Sequence, residues 1–168
     1  MKSIYKMLLD FLIYIKLIKI KYFYHGTHEE NKQIIIADGV LVPHNSHYGQ
    51  SENNYVYLCQ DSCFSQTICY ALDKNFSYTF VEIGIVGCSK LYKHLETNVK
   101  NSNFGSLTEV KHKGIIAFSR RSVYSAKIVT LDNKNPKYKD FFNLITNYPP
   151  NYVDAKKIID GLEWKILK

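Results

Sequence analysis

The segment of residues 78–86 constrains the fold most, because its side chains alternate with a period of two. One side of the predicted strand carries Thr79, Val81, Ile83 and Ile85, and the other carries Phe80, Glu82, Gly84 and Val86. Such alternation is typical of a β-strand inside a sheet. The sequence therefore requires a sheet, and other strands must pair with this one.

Further strands are predicted in the middle of the chain and helices near both ends. The predicted strands cover residues 17–25, 40–42, 55–58, 107–110, 114–118 and 123–131. The predicted helices cover residues 4–14, 27 or 29 to 37, 61 or 62 to 72, 138–146 and 151–160. This pattern, in a chain of 168 residues, predicts one α+β domain over 1–168, with a core at about 17–131 and helical flanks.

The apolar run of residues 7–20 is interrupted by Asp10, Lys16 and Lys19, so it is too short and too charged for a membrane span. No small-residue cleavage site follows it, which argues against a signal peptide. We expect a buried helix and then a strand that ends at His25, where a turn begins. A helix lying on a membrane surface is the alternative.

Composition and charge narrow the classes of function. The chain is 46% hydrophobic and 22% charged, so it can bury a core. Its net charge is +7, but the basic residues are scattered, which makes nucleic acid a possible partner without favouring it. The four cysteines form no Cys-x-x-Cys pair, so we expect reduced thiols, a cytoplasmic location and no zinc site.

Four separate places in the sequence carry residues suited to chemistry. The motif Tyr24-His25-Gly26-Thr27 ends a predicted strand, Tyr57 lies on a second strand, Tyr70 on the helix after it, and Glu109 on a short later strand. This order resembles the His-Tyr-Glu class of ADP-ribosyltransferases, which cleave NAD at the bond between nicotinamide and ribose. The resemblance covers residues 22–131. It implies a compact, split antiparallel β-sheet core of the ADP-ribosyltransferase type with flanking helices.

The resemblance also implies how NAD is held. His25 would hydrogen-bond the ribose on the adenosine side. Gly26 lacks a Cβ, so its backbone N–H and C=O could approach the nicotinamide amide closely. Thr27 would fix the turn or a ribose hydroxyl. Tyr57 and Tyr70 would line and stack on the nicotinamide, whose positive charge favours an aromatic face.

Glu109 would bind the 2′-hydroxyl of the nicotinamide ribose and stabilise the positive charge that develops there. The catalytic residues are then Glu109, His25 and Tyr57, with NAD as the substrate and no metal ion. The resemblance implies a mono-ADP-ribosyltransferase acting on a protein or a nucleic acid.

Three alternatives remain beside this expectation. RNA 2′-phosphotransferases share the fold and the His-Gly-Thr motif, but they usually carry His-x-His where this chain has residues 55–57, and they lack the late glutamate. A degenerate module could bind NAD or ADP-ribose without reacting. An unrelated α+β interaction domain could carry the motifs by coincidence.

Other polar residues are interpreted as structural. Glu82 lies in the middle of the predicted sheet, and Asp61 is placed to cap a helix. His28, His44 and His47 are interpreted as loop histidines, because no second metal ligand is spaced for them.

Overall fold

The computed structural model describes residues 4–43, 54–60, 77–97, 109–146 and 151–168. The helices are α1 (Ile4–Tyr14), α2 (Asn31–Asp38), α3 (Lys90–Lys93), α4 (Pro136–Thr146) and α5 (Tyr152–Asp160). The strands are β1 (Ile20–His28), β2 (Val40–Leu41), β3 (Tyr55–Gln60), β4 (Tyr78–Val86), β5 (Glu96–Thr97), β6 (Glu109–Lys113), β7 (Ile116–Ala117), β8 (Val123–Leu131) and β9 (Lys165–Ile166). This mixture confirms the α+β class.

One antiparallel sheet carries the architecture. Its strands follow the order β5-β6-β3-β1-β4-β8-β9, and β2 pairs with β7 in a separate two-stranded sheet. β4 pairs with β1 over nine residues, from Ile20 opposite Val86 to His28 opposite Tyr78. β8 covers the other edge of β4. The alternating segment 78–86 is therefore a central strand, as its pattern predicts.

Both faces of the sheet are buried, which explains why both sides of β4 are largely apolar. One face packs with α2, α3 and the β2–β7 pair, and its core includes Phe23, Leu58, Val81 and Ile83. The other face packs against α4 and α5, and its core includes Tyr24, Tyr78, Phe80, Val129 and Phe141. Successive residues along β1 and β4, such as Phe23 and Tyr24, therefore lie in different cores.

The first long strand continues past the predicted turn. The sequence predicts that the strand ends at His25, but β1 runs to His28, with Gly26 opposite Phe80 and Thr27 opposite Thr79. The expectation of a turn at Gly26 is wrong because β4 is long enough to offer pairing partners to the three following residues. The same pairing makes His28 a strand residue and not a loop residue.

The end of α2 matches the expectation. Gly39 has φ of 62°, in the left-handed region, and its N–H donates to the Ile35 carbonyl at 3.0 Å. This is the usual way for a glycine to end a helix, since other residues pay a steric cost there. α2 starts later than predicted, at Asn31, because β1 occupies the residues before it.

The first helix has the predicted bounds but the wrong burial. Leu9 is its buried residue, whereas Ile4, Met7 and Phe11 are more than half exposed. The helix touches the sheet through one side only, where the Tyr124 hydroxyl donates to Asp10 Oδ1 at 3.0 Å. The expectation of a buried helix is therefore corrected. Among the described residues, no helix has the length and apolarity to cross a membrane.

The C-terminal region combines a predicted helix with a strand that the sequence analysis missed. The Asn151 side chain accepts from the Asp154 N–H at 3.1 Å and caps α5, as the Asn-x-x-Asp spacing predicts. After α5, Trp164 Nε1 donates to the Ile159 carbonyl at 3.2 Å. β9 then adds two residues to the edge of β8. A two-residue strand has no periodicity, so only the tertiary pairing reveals it.

Candidate functional site

The three predicted catalytic residues lie on three neighbouring strands. His25 is on β1, Tyr57 on β3 and Glu109 on β6, and the sheet places these strands side by side in the order β6-β3-β1. Cys59 on β3 lies opposite both Tyr24 of β1 and Glu109 of β6. Residues separated by 84 positions along the chain, 25 and 109, are thus brought to within two strand spacings of each other, roughly 10 Å.

The His25 side chain joins β1 to β3 directly. Its Nδ1 lies 2.9 Å from the Tyr57 carbonyl oxygen, and the two residues are 32 positions apart. A carbonyl oxygen can only accept, so Nδ1–H donates and fixes the tautomer of the ring. In the neutral ring, the lone pair then belongs to Nε2. That nitrogen is the one suited to accept from a hydroxyl.

The three side chains do not all belong to the same face of the sheet. By strand alternation, Tyr57 shares the face of Cys59 and Tyr24, which is the face that carries α4 and α5. His25 alternates onto the opposite face and reaches the main chain of Tyr57 between the two strands. His25 and Tyr57 therefore meet at the junction of β1 with β3, and Glu109 lies on β6, beyond β3.

Gly26 and Thr27 support this junction from β1. Both are buried, and Gly26 lies opposite Phe80, which is fully buried in the second core. The Thr27 hydroxyl accepts from Asn31 Nδ2 at 2.7 Å. That bond ties the end of β1 to the first residue of α2.

Lys111 is a neighbour of the site that the sequence analysis did not single out as a site residue. It lies opposite Tyr57 in the β3–β6 register and on the same face of the sheet. Its Nζ lies 4.5 Å from the centroid of the Tyr55 ring and 3.8 Å from Glu96 Oε2. The sequence pattern that could have identified Lys111 is the alternation of side chains along β6. Lys111 places a positive charge beside the candidate tyrosine.

The rival carboxylate Glu82 has a structural partner. Glu82 Oε1 lies 3.2 Å from Lys127 Nζ, across the β4–β8 pair. Its side chain is 12% exposed, so the ion pair is largely shielded from water. His28 is likewise structural, because its ring lies 5.9 Å from that of Tyr78. The ion pair agrees with the structural role expected for Glu82, whereas His28, expected in a loop, lies on β1.

His112 is a buried titratable residue on β6, on the face of the sheet opposite that of Lys111. Among the described residues, its Nδ1 has no hydrogen-bond partner, and His112 lies opposite Val56 of the first core in the β3–β6 register. Burial is the main reason why the pKa of His112 lies below its ordinary value, and the positive charge of Arg120 lowers it further. His112 is therefore neutral at physiological pH.

Several candidate residues fall outside the described part of the chain: Tyr70, Asp61, His44 and His47. Among the residues that the structure does describe, no group of three or more His, Cys, Asp or Glu side chains could hold a metal ion. Comparison of the chain with known protein families, with curated proteins and with solved structures found no match.

Proposed function

We propose that the protein is an NAD-dependent mono-ADP-ribosyltransferase that moves ADP-ribose to a protein or nucleic-acid acceptor. The observation that supports this proposal is the placement of His25, Tyr57 and Glu109 on three consecutive strands of the sheet, with a hydrogen bond from His25 to the Tyr57 main chain. These are the residue types, in the chain order, that the His-Tyr-Glu class uses.

The reaction follows from the demands of breaking a glycosidic bond to a cationic leaving group. The bond between C1′ of the ribose and the nicotinamide nitrogen breaks, and its electron pair leaves with the neutral nicotinamide. Positive charge then remains on the ribose, where the Glu109 carboxylate stabilises it. A nucleophilic atom of the acceptor bonds to C1′ and loses its proton to solvent. The products are nicotinamide, ADP-ribosylated acceptor and a proton.

Each of the other residues has a positioning role in this proposal. His25, with Nδ1–H held by the Tyr57 carbonyl, presents Nε2 as an acceptor for a ribose hydroxyl. The Tyr57 ring lines the nicotinamide, and Gly26 lets the backbone approach the carboxamide. Fixing both ends of NAD before the bond breaks lowers the entropic part of the barrier. Lys111 and the net charge of +7 favour the phosphates of NAD and anionic acceptors.

The test is mass spectrometry of proteins and nucleic acids after incubation of a cell lysate with the protein and NAD. The proposal predicts free nicotinamide and an ADP-ribose adduct on one class of acceptor. Saturable NAD binding with no adduct would instead indicate a degenerate binding module. Absence of both NAD binding and adduct would overturn the proposal and favour an interaction domain.

A further inference from the structure

The exposed side of α1 is a continuous apolar surface. Residues in a helix are about 100° apart, so five side chains fall within an arc of about 120°. None of them is charged, and their exposed fractions range from 55% to 85%. We call this set the α1 apolar face: Ile4, Met7, Leu8, Phe11 and Tyr14.

The opposite side of α1 is held by the sheet, so the apolar face is presented outward in a fixed orientation. Leu9 is buried against the protein, and Asp10 accepts a hydrogen bond from the Tyr124 hydroxyl at the start of β8. Lys6 Nζ lies 5.8 Å from the centroid of the Tyr124 ring. Exposed apolar patches of this kind on a folded protein usually mark a surface that binds another protein or a membrane.

Basic residues lie near both ends of α1. Asp10 is the only acidic residue from position 4 to position 28, and it is turned toward the sheet. Near the start of the helix, Arg121 lies 5.5 Å from the Tyr5 ring. The pKa of Lys168 is lowered mainly by burial and also by repulsion from the nearby Lys6. At the end of the helix, three exposed lysines follow within seven residues: Lys16, Lys19 and Lys21.

We propose that the α1 apolar face docks onto an anionic lipid bilayer. A helix that combines an apolar arc with flanking basic groups lies in the plane of the interface, with its apolar side chains among the acyl chains and its cations at the headgroups. Lys16, Lys19 and Arg121 are complementary in charge to such a surface. A second copy of the chain is a poorer partner, because it would bring basic groups together without an acidic counterpart.

Co-sedimentation with lipid vesicles tests this docking. The wild-type protein should sediment with phosphatidylcholine vesicles that contain about 30% phosphatidylserine, and much less with phosphatidylcholine alone. Binding should weaken as salt rises from about 0.1 to 1 M, because the Debye length falls from about 10 to 3 Å. A double variant, Leu8→Ser with Phe11→Ser, should bind at least about tenfold more weakly, because it lacks two large apolar side chains that would be buried in the bilayer.

The matched control replaces two exposed apolar residues elsewhere, Val153→Ser with Ile166→Ser, which are 69% and 77% exposed in the wild-type protein. This control should sediment like the wild-type protein. All variants alter exposed side chains, and thermal unfolding checks that each is folded. Three results would overturn the proposal: no binding to anionic vesicles, equal binding to neutral vesicles, or a Leu8/Phe11 variant that binds unchanged. A wild-type dimer that the Leu8/Phe11 variant dissociates, without vesicle binding, would assign the face to a second copy.

Discussion

Replacing His25 by alanine tests the junction between β1 and β3 with two independent readouts. The substitution removes a hydrogen bond of ordinary length, 2.9 Å, from Nδ1 to the Tyr57 carbonyl. Such a bond contributes about 1 kcal/mol net, and both residues are only half-buried, so water can reach the carbonyl that is left. We expect the free energy of unfolding without NAD to fall by about 1 kcal/mol. For a chain of this size, that lowers Tm by about 2–4 °C.

The second readout is the stabilisation by NAD. At a concentration of about 100 times Kd, a ligand that binds only the folded state adds about 2.7 kcal/mol to its stability. Loss of a ribose contact should weaken NAD binding at least about tenfold, which halves that gain at the same concentration. His25→Ala should therefore be less stable without NAD and also less stabilised by it, as measured by thermal unfolding across an NAD titration.

The matched control is His28→Ala, which lies on the same strand and loses a ring contact with Tyr78. It can lower Tm without NAD, but its NAD-induced shift should equal that of the wild-type protein. If His25→Ala keeps the full NAD-induced shift, the reasoning that places His25 at the ligand is refuted, whatever its effect on stability.

Three further predictions concern the fold. Phe80→Ala, at a fully buried position beside α4, should lower the free energy of unfolding by about 3–5 kcal/mol in urea denaturation; a loss below 1 kcal/mol would contradict the described packing. Gly39→Ala should cost about 1 kcal/mol because φ is 62°, whereas Gly39→Asn should cost less, and equal Tm values for the two variants would count against the left-handed cap. The pKa of His112 is lowered in the folded state, so the unfolded chain takes up its proton first and stability should fall as pH drops below about 6.5. Urea denaturation at several pH values should show a smaller fall for His112→Gln, and an identical fall would refute the assignment.

Sequence periodicity predicted the elements whose pattern is local and long. The bounds of β4 and β8 match the predicted segments 78–86 and 123–131, because nine alternating residues define a strand without reference to the rest of the chain. The ends of α2 and α5 were also readable, since Gly39 and Asn151 act on the adjacent backbone.

Features that depend on tertiary contacts were not readable in this way. β1 continues through the His-Gly-Thr motif because β4 is there to pair with it, and no local pattern records the length of a distant partner. The prediction that α1 is buried was wrong for a related reason. An apolar sequence favours the burial of a helix, but it does not show that one side of α1 stays exposed in this protein.

The candidate site was likewise predictable from the sequence only in part. Residue types identified His25, Tyr57 and Glu109, and the sheet order brings their strands together. The bond from His25 to the Tyr57 main chain depends on the approach of two strands that are distant in the sequence. The neighbour Lys111 likewise becomes evident only through the β3–β6 register.

The most direct test of the central claim is the rate of nicotinamide release from NAD by Glu109→Gln, compared with the wild-type protein and with Glu82→Gln. Gln keeps the size of the side chain and removes its charge, so NAD binding should persist while the rate of release falls by about 10²–10³-fold. Glu82→Gln, which loses only the ion pair with Lys127, should keep its rate of release. Unchanged turnover by Glu109→Gln would contradict the account.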